Sequence, residues 1–362
     1  MLVTLNGSRF GDYPPGRESS AGCIDIGLIN NMPDSALQAA ERQFLGLLSD
    51  ASAGVTVRVS LFTMPGVPRA DESRNRIRAL YSNIEDLWTR RLDGLIVTGA
   101  EPRTPNLVDE PYWGDFTRIL DWADQNTLSS VWSCLAAHMA VLYLDDIRRH
   151  RLSNKRSGVF ESARTCDHPL MDGLPLHIRM PHSRWNEVRE EELSACGYRI
   201  LARGGNGDVD IFSKQRKSCF LFFQGHPEYE ADTLFREFRR DVRRYLKGEA
   251  DTYPGIPQGY IDGMEDVFTE WKARAPFSRS EALLAAFPTA MAEHRLLNTW
   301  RHAALQIYSN WLAYLGKQKG LWLQNEACPN GACVREPIAA GLGGGFRLNQ
   351  DSTSVLEFSS ER

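Results

Sequence analysis

The chain lacks any apolar run approaching the ~18 residues that a membrane span needs, so no membrane partner is expected of it. It also lacks a secretory pattern, because the first twenty residues are polar and carry glycine and proline with no apolar core. Cysteine is scarce and unpatterned. The seven cysteines, at positions 23, 134, 166, 196, 219, 328 and 333, form an odd, irregular set. In a long chain such a set reads as a reducing compartment, here the cytoplasm, and not as a disulfide framework. Only Cys328 and Cys333 lie close together, and no Cys/His grouping has zinc spacing, so no metal is expected. Charge of one sign is not in excess either. The formal net charge of −4 supplies no electrostatic reason for nucleic acid or an anionic membrane as partner. No internal repeat is present. What remains, 42% hydrophobic and 24% charged residues over 362 positions, is the make-up of a soluble globular protein with room for one large domain plus additions.

Short apolar segments alternate with helical patterns along the first 150 residues. Cys23–Ile29, 55–62, 92–98 and 128–133 read as strands. Leu37, Phe44, Leu47 and Leu48 mark one helix, and 81–88, 113–123 and 135–144 read as three more. That alternation predicts an α/β fold with a doubly wound, mostly parallel sheet flanked by helices. Ligands bind outside the carboxyl ends of such strands, and Gly99 and Cys134 both fall at strand ends. From Lys155 the texture changes to short strands (158–161, 177–180, 198–202, 209–212, Cys219–Phe223), then a long helix over 231–246. Two prolines and two glycines in 252–259 predict a linker. Helices are expected again over 262–290 and 296–314, and periodicity fails after Gly320. The expected organisation is a polar lead-in (1–22), a catalytic domain (23–250), a helical extension completing it (251–320) and a flexible tail (321–362).

The strongest local signal is Trp132-Ser133-Cys134-Leu135-Ala136, at a strand-to-helix junction. A thiol there projects into the cleft, and the helix start favours the thiolate. Taken alone, the same cysteine is equally well a small buried hydrophobe. The second signal is Gln224-Gly225-His226-Pro227-Glu228-Tyr229, directly after an apolar strand. His226 and Glu228, two apart across a rigid proline, can form a general base with its orienting carboxylate, or a solvated turn. Together with Cys134 they make a Cys-His-Glu triad. Gly99 permits close backbone approach, so the N–H groups of Ala100 and Leu135 form a candidate oxyanion hole. Lys155, Ser183 and Arg240 are further polar candidates. The run Arg236, Arg239, Arg240, Arg243, Arg244 by itself reads as a solvated helix face.

This ordered set resembles the homoserine O-succinyltransferase family, whose fold is that of class I glutamine amidotransferases. The matching segments include 27–33 (GLINNMP), 42–45, 93–100 (DGLIVTGA), Tyr112-Trp113, Cys134, 155–159 (KRSGV), Pro181-His182-Ser183-Arg184, 225–229 (GHPEY), 237–241 (EFRRD), Trp300-Arg301 and Asn310-Trp311-Leu312. Coverage runs in order from about residue 24 to 315. The resemblance implies that Cys134 holds an acyl thioester, with His226 as general base and Glu228 as its partner. It places Lys155, Ser183 and Arg240 at substrate-contacting positions, where a guanidinium suits an amino-acid carboxylate. It implies a ping-pong acyl transfer from acyl-CoA to homoserine, a step towards methionine, with no bound cofactor because CoA arrives as part of a substrate. It further implies a homodimer. Arg103 falls where the family separates succinyl users (small residue) from acetyl users (acidic residue), and a cation there suits a succinyl carboxylate. Departures are Asp34, Ser35 and Ala36 where lysines are expected, an insertion over about 255–295, and a tail beyond 320 without counterpart.

Three other functions are compatible with parts of the pattern. A glutaminase of the parent fold would carry glycines two residues either side of the nucleophile, where this chain has Trp132 and Ala136. An acyltransferase acting on serine or another hydroxy amino acid, or using acetyl-CoA, would share the chemistry and differ only in the pocket. A non-enzymatic homologue would have no need of Cys134, His226 and Glu228 together.

Overall fold

A computed structural model describes residues 3–5, 22–205, 207–274 and 281–327. One ten-stranded sheet organises them, in the order β1-β3-β2-β4-β5-β10-β9-β8-β6-β7. The strands are β1 (Val3–Leu5), β2 (Cys23–Ile29), β3 (Thr56–Phe62), β4 (Gly94–Val97), β5 (Ser129–Ser133), β6 (His150–Arg164), β7 (His177–Glu187), β8 (Arg199–Gly204), β9 (Val209–Gln215) and β10 (Cys219–Phe223). From β1 to β10 the pairings are parallel, and from β10 to β7 antiparallel. The helices are α1 (Asp34–Ala51), α2 (Asp71–Leu80), α3 (Trp113–Asn126), α4 (Leu135–Asp145), α5 (Glu190–Ala195), α6 (Thr233–Leu246), α7 (Glu265–Arg274), α8 (Glu281–Ala285), α9 (Thr289–Glu293) and α10 (Arg301–Ala327).

The parallel strands are apolar on both faces because both are covered. In β10, Leu221 and Phe223 face a core shared with α1, α6 and α10, while Phe220 and Phe222 face one shared with α3 and α4. The chain forms two compact units, 1–322 and 323–362. Of the second, only the end of α10 is described, and of the tail expected over 321–362, residues 328–362 lie outside the described residues.

Three expectations change. Val3–Leu5, assigned to the polar lead-in, pairs in parallel with β3 at the sheet edge. The 252–259 segment is not a free linker but a strap on the sheet. Gln258 accepts from Val159 N–H at 2.8 Å and donates to Ser157 O at 3.0 Å. Gly158 makes this approach possible, since at its φ of +141° a Cβ would lie 2.3 Å from Gln258 O. The helix expected to end at 314 continues to Ala327, past the boundary expected at 320, anchored by a buried lysine. Lys319 Nζ donates to Asp93 Oδ2 at 2.8 Å and to Cys23 O at 2.5 Å, at the amino ends of β4 and β2.

Candidate active site

Four neighbouring parallel strands deliver the site. β2, β4, β5 and β10 run the same way, so the residues after their carboxyl ends meet at one sheet edge. Residues 30–33, 98–100, Cys134 and 224–229 are the ones so gathered. Members of each segment line, with α1, α6 and the β6–β7 wall, a cleft of about 480 Å³.

Cys134 stands between β5 and α4 at φ 52°, ψ −110°, a conformation that costs a non-glycine residue about 1–3 kcal/mol. The sheet imposes it, because Cys134 N–H is held by Phe223 O at 2.8 Å on the adjacent strand. The tight turn leaves the cysteine partly exposed in the cleft. Gly99 crowds in beside the first turn of α4. A Cβ on it would lie 3.1 Å from Leu135 N and 3.0 Å from Leu135 Cβ. A side chain there would take up the space next to the Leu135 N–H, where an oxyanion would need to sit. Ala100 and Leu135 both line the cleft.

His226 is set by its own backbone. Its N–H donates to Pro181 O at 2.8 Å, and Gly225 allows the approach, since a Cβ there would meet Met180 Cγ at 2.4 Å. The imidazole Nδ1 is 2.8 Å from Glu228 Oε1, and both side chains are buried. Burial pushes the imidazole toward its neutral form. The Glu228 carboxylate and the hydrogen-bonded Cys134 sulfur outweigh that and hold the proton well above the ordinary histidine range. With Nδ1 committed to Glu228, Nε2 is the nitrogen left for the thiol. Tyr229 stacks on the ring, 4.3 Å between centroids. Behind Cys134, His138 Nε2 meets Gln224 Oε1 at 2.9 Å and ties α4 to the strand end that carries His226. Burial lowers the His138 pKa to about 4, so this link is uncharged.

The facing wall carries Lys155, Ser183 and Arg240. Lys155 Nζ bonds Asp241 Oδ2 at 2.7 Å, and the Arg240 guanidinium bonds Asp241 Oδ1 at 3.0 and 3.1 Å. Burial raises the Asp241 pKa, but the two cations more than reverse that and hold it below the usual carboxylate range. The Ser183 hydroxyl bonds Glu237, whose other oxygen accepts from the Tyr229 hydroxyl at 2.7 Å. Cations and carboxylates thus alternate along the wall, an arrangement that can hold both ends of an amino acid.

Arg103 does not join them. Its side chain is exposed and lies off the cleft lining, while its backbone N–H donates to the buried Glu110 at 2.7 Å. Residues without an assigned role, Tyr229, Glu237, Asp241 and Trp185, line the cleft instead. The signal for two of them was available. Glu237, Arg240, Asp241 and Arg244 recur at three- and four-residue spacing on one face of α6. Ser35 and Ala36 also line the cleft, whereas Asp34 turns away to accept from Ala70 N–H at 2.7 Å.

A family model described as homoserine O-succinyltransferase matches residues 16–321. A homoserine O-succinyltransferase of Rhodopseudomonas palustris is 45% identical over 305 residues, which are 84% of this chain and 92% of that one. One of Methylorubrum extorquens is 42% identical over 299 residues, 82% and 89% of the two chains. Among solved structures, a glutamine amidotransferase of Thermotoga maritima is similar at 10% identity and a TM-score of 0.44, over 81% of this chain and 98% of that one. Matched over most of its length by the family model and at these identities by two relatives, the chain belongs to the homoserine O-succinyltransferase family.

Proposed function

We propose that this protein is a homoserine O-acyltransferase that moves a succinyl group from succinyl-CoA through a Cys134 thioester. The observation that carries the reading is the Cys134–His226–Glu228 alignment beside the Lys155–Asp241–Arg240 cluster. The Cys134 thiolate, paired with the His226 imidazolium, attacks the thioester carbonyl. The oxyanion forms against the Leu135 and Ala100 N–H groups. As it collapses, the C–S bond to CoA breaks and the departing thiolate takes the His226 proton. The homoserine hydroxyl then gives its proton to His226 and attacks the enzyme thioester, releasing O-succinylhomoserine and the Cys134 thiolate. Arg240 and Lys155 take up the homoserine carboxylate. The product is an activated amino acid suited to displacement by sulfur in methionine synthesis, in the cytoplasm, and the working unit is a homodimer.

The glutaminase reading is weakened by Trp132. It is fully buried, packed edge-on to Phe116 at 5.4 Å and against Phe220 at 5.7 Å, so a bulky core residue stands where that chemistry uses glycine. A serine-type acceptor, or acetyl-CoA as donor, is favoured by one observation, the small Ser35 and Ala36 on the cleft wall where lysines were expected. A panel of acyl-CoAs and hydroxy amino acids, with CoA release followed and products identified by mass, decides among them. Faster transfer to serine than to homoserine, or ammonia release from glutamine alone, would overturn the proposal.

A further inference from the structure

We infer that the nucleotide end of the acyl donor docks at the mouth of this cleft, with Trp185 stacking its base and Arg151 and Arg244 meeting its phosphates. The inference rests on acyl-CoA being the donor, as proposed above. A cleft of about 480 Å³ suits a drug-sized ligand, and an acyl-CoA is considerably larger. With its thioester at Cys134, its phosphorylated ADP has to lie outside, at the rim.

The cations lining the cleft differ in how far they are already engaged. Lys155 and Arg240 converge on Asp241. Arg236 is held by Asp232 at 3.1 Å and Glu230 at 3.4 Å. Among the described residues, the Arg244 side chain pairs only with a distant carboxylate, Glu101 at 3.7 Å, and both side chains are about half exposed, at 47% and 60%. Such a pair is weak and readily exchanged for a phosphate.

On the β7 side of the same cleft, Trp185 is 43% exposed. The Arg151 guanidinium sits 4.3 Å from its ring centroid. Trp185 lies opposite the register shift in β6 between Arg151 and Arg156, the kind of irregularity that re-aims side chains beside active sites. An exposed indole braced by a guanidinium offers a π face for a purine and N–H donors for phosphate. These are the two features that distinguish the nucleotide end of the donor from its acyl end.

The test compares kcat/KM for succinyl-CoA with that for the succinyl thioester of N-acetylcysteamine, which has no nucleotide, at saturating homoserine. Trp185→Ala is expected to lose roughly 5- to 150-fold with succinyl-CoA, the range for one stacked base, and to be unchanged with the short thioester. Arg244→Glu should lose selectively in the same way. Arg239→Glu, exposed on α6 but off the cleft lining, serves as the control and should match wild type with both donors. Equal losses with both thioesters in Trp185→Ala and Arg244→Glu, or no loss in either, overturn the inference. Desulfo-CoA should inhibit the wild type competitively against succinyl-CoA and inhibit Trp185→Ala more weakly, and equal inhibition of the two also counts against it. A wild type that turns over neither donor overturns the acyl-CoA reading itself, whereas normal wild-type turnover with unaffected variants removes only the docking site.

Discussion

Replacing Glu228 with glutamine isolates the charge in the triad from its geometry. Glutamine has nearly the same shape, and its carbonyl oxygen can still accept from His226 Nδ1, now 2.8 Å from Glu228 Oε1. What disappears is the negative charge that, with the Cys134 sulfur, outweighs burial and keeps the imidazole protonated above its ordinary range. The sign follows directly. A raised pKa means the imidazolium survives as pH rises and is lost only when pH passes that raised value. Without the Glu228 charge, burial dominates, the pKa falls, and less imidazolium is present to protonate the departing CoA of the proposed mechanism. Proton transfer by a positioned side chain contributes on the order of 10²–10⁴ in rate, equivalent to about 2.7–5.4 kcal/mol of barrier. Glu228→Gln should therefore lower kcat by that factor with little change in donor affinity, and the high-pH limb of kcat/KM for succinyl-CoA should move to lower pH. Stopped-flow measurement of CoA release between pH 6 and 10, beside iodoacetamide alkylation of Cys134, reads both effects. An unshifted limb with a full rate loss would refute the electrostatic account and leave Glu228 as a purely steric brace.

Cys134→Ala should abolish turnover and the one-acyl adduct that intact-mass analysis finds when wild type meets succinyl-CoA alone, and an adduct surviving in the variant would locate the nucleophile elsewhere. Lys319→Met strips the partner from Asp93, both being nearly fully buried, and breaking such a pair typically costs about 3–5 kcal/mol. Urea unfolding should register that loss, and a change below about 1 kcal/mol would mean that the amino ends of β2 and β4 relax around the vacancy. Arg103→Ala should alter kcat/KM for succinyl-CoA and acetyl-CoA by the same small factor, because the side chain lies off the cleft. A loss confined to succinyl-CoA would instead assign Arg103 to carboxylate recognition.

The features legible in the chain were those carried by consecutive residues. Cys23–Ile29 and Cys219–Phe223 declared themselves as strands because both of their faces are buried, and a short unbroken apolar run has few other uses. The elbow at Cys134 and the His226-x-Glu228 turn were visible as positions because each follows a short apolar strand, β5 or β10. Elements without an apolar period were not visible. Helix α2 buries no residue at all, so no stripe marks it. Only three of the fifteen residues of β6 are buried and most of the rest are polar, so only its central 158–161 read as strand. The strap at 252–259 looked like a linker because its hydrogen bonds go to β6, about a hundred residues away. Tertiary structure alone decided what meets across the cleft. It set Asp241 between Lys155 and Arg240, bound Glu237 to Ser183 and Tyr229, placed Trp185 at the rim and left Arg103 outside it. Local pattern is fixed by short-range backbone preference and burial period, whereas these pairings depend on strand order and helix placement, which bring together side chains that have no sequence relation to one another.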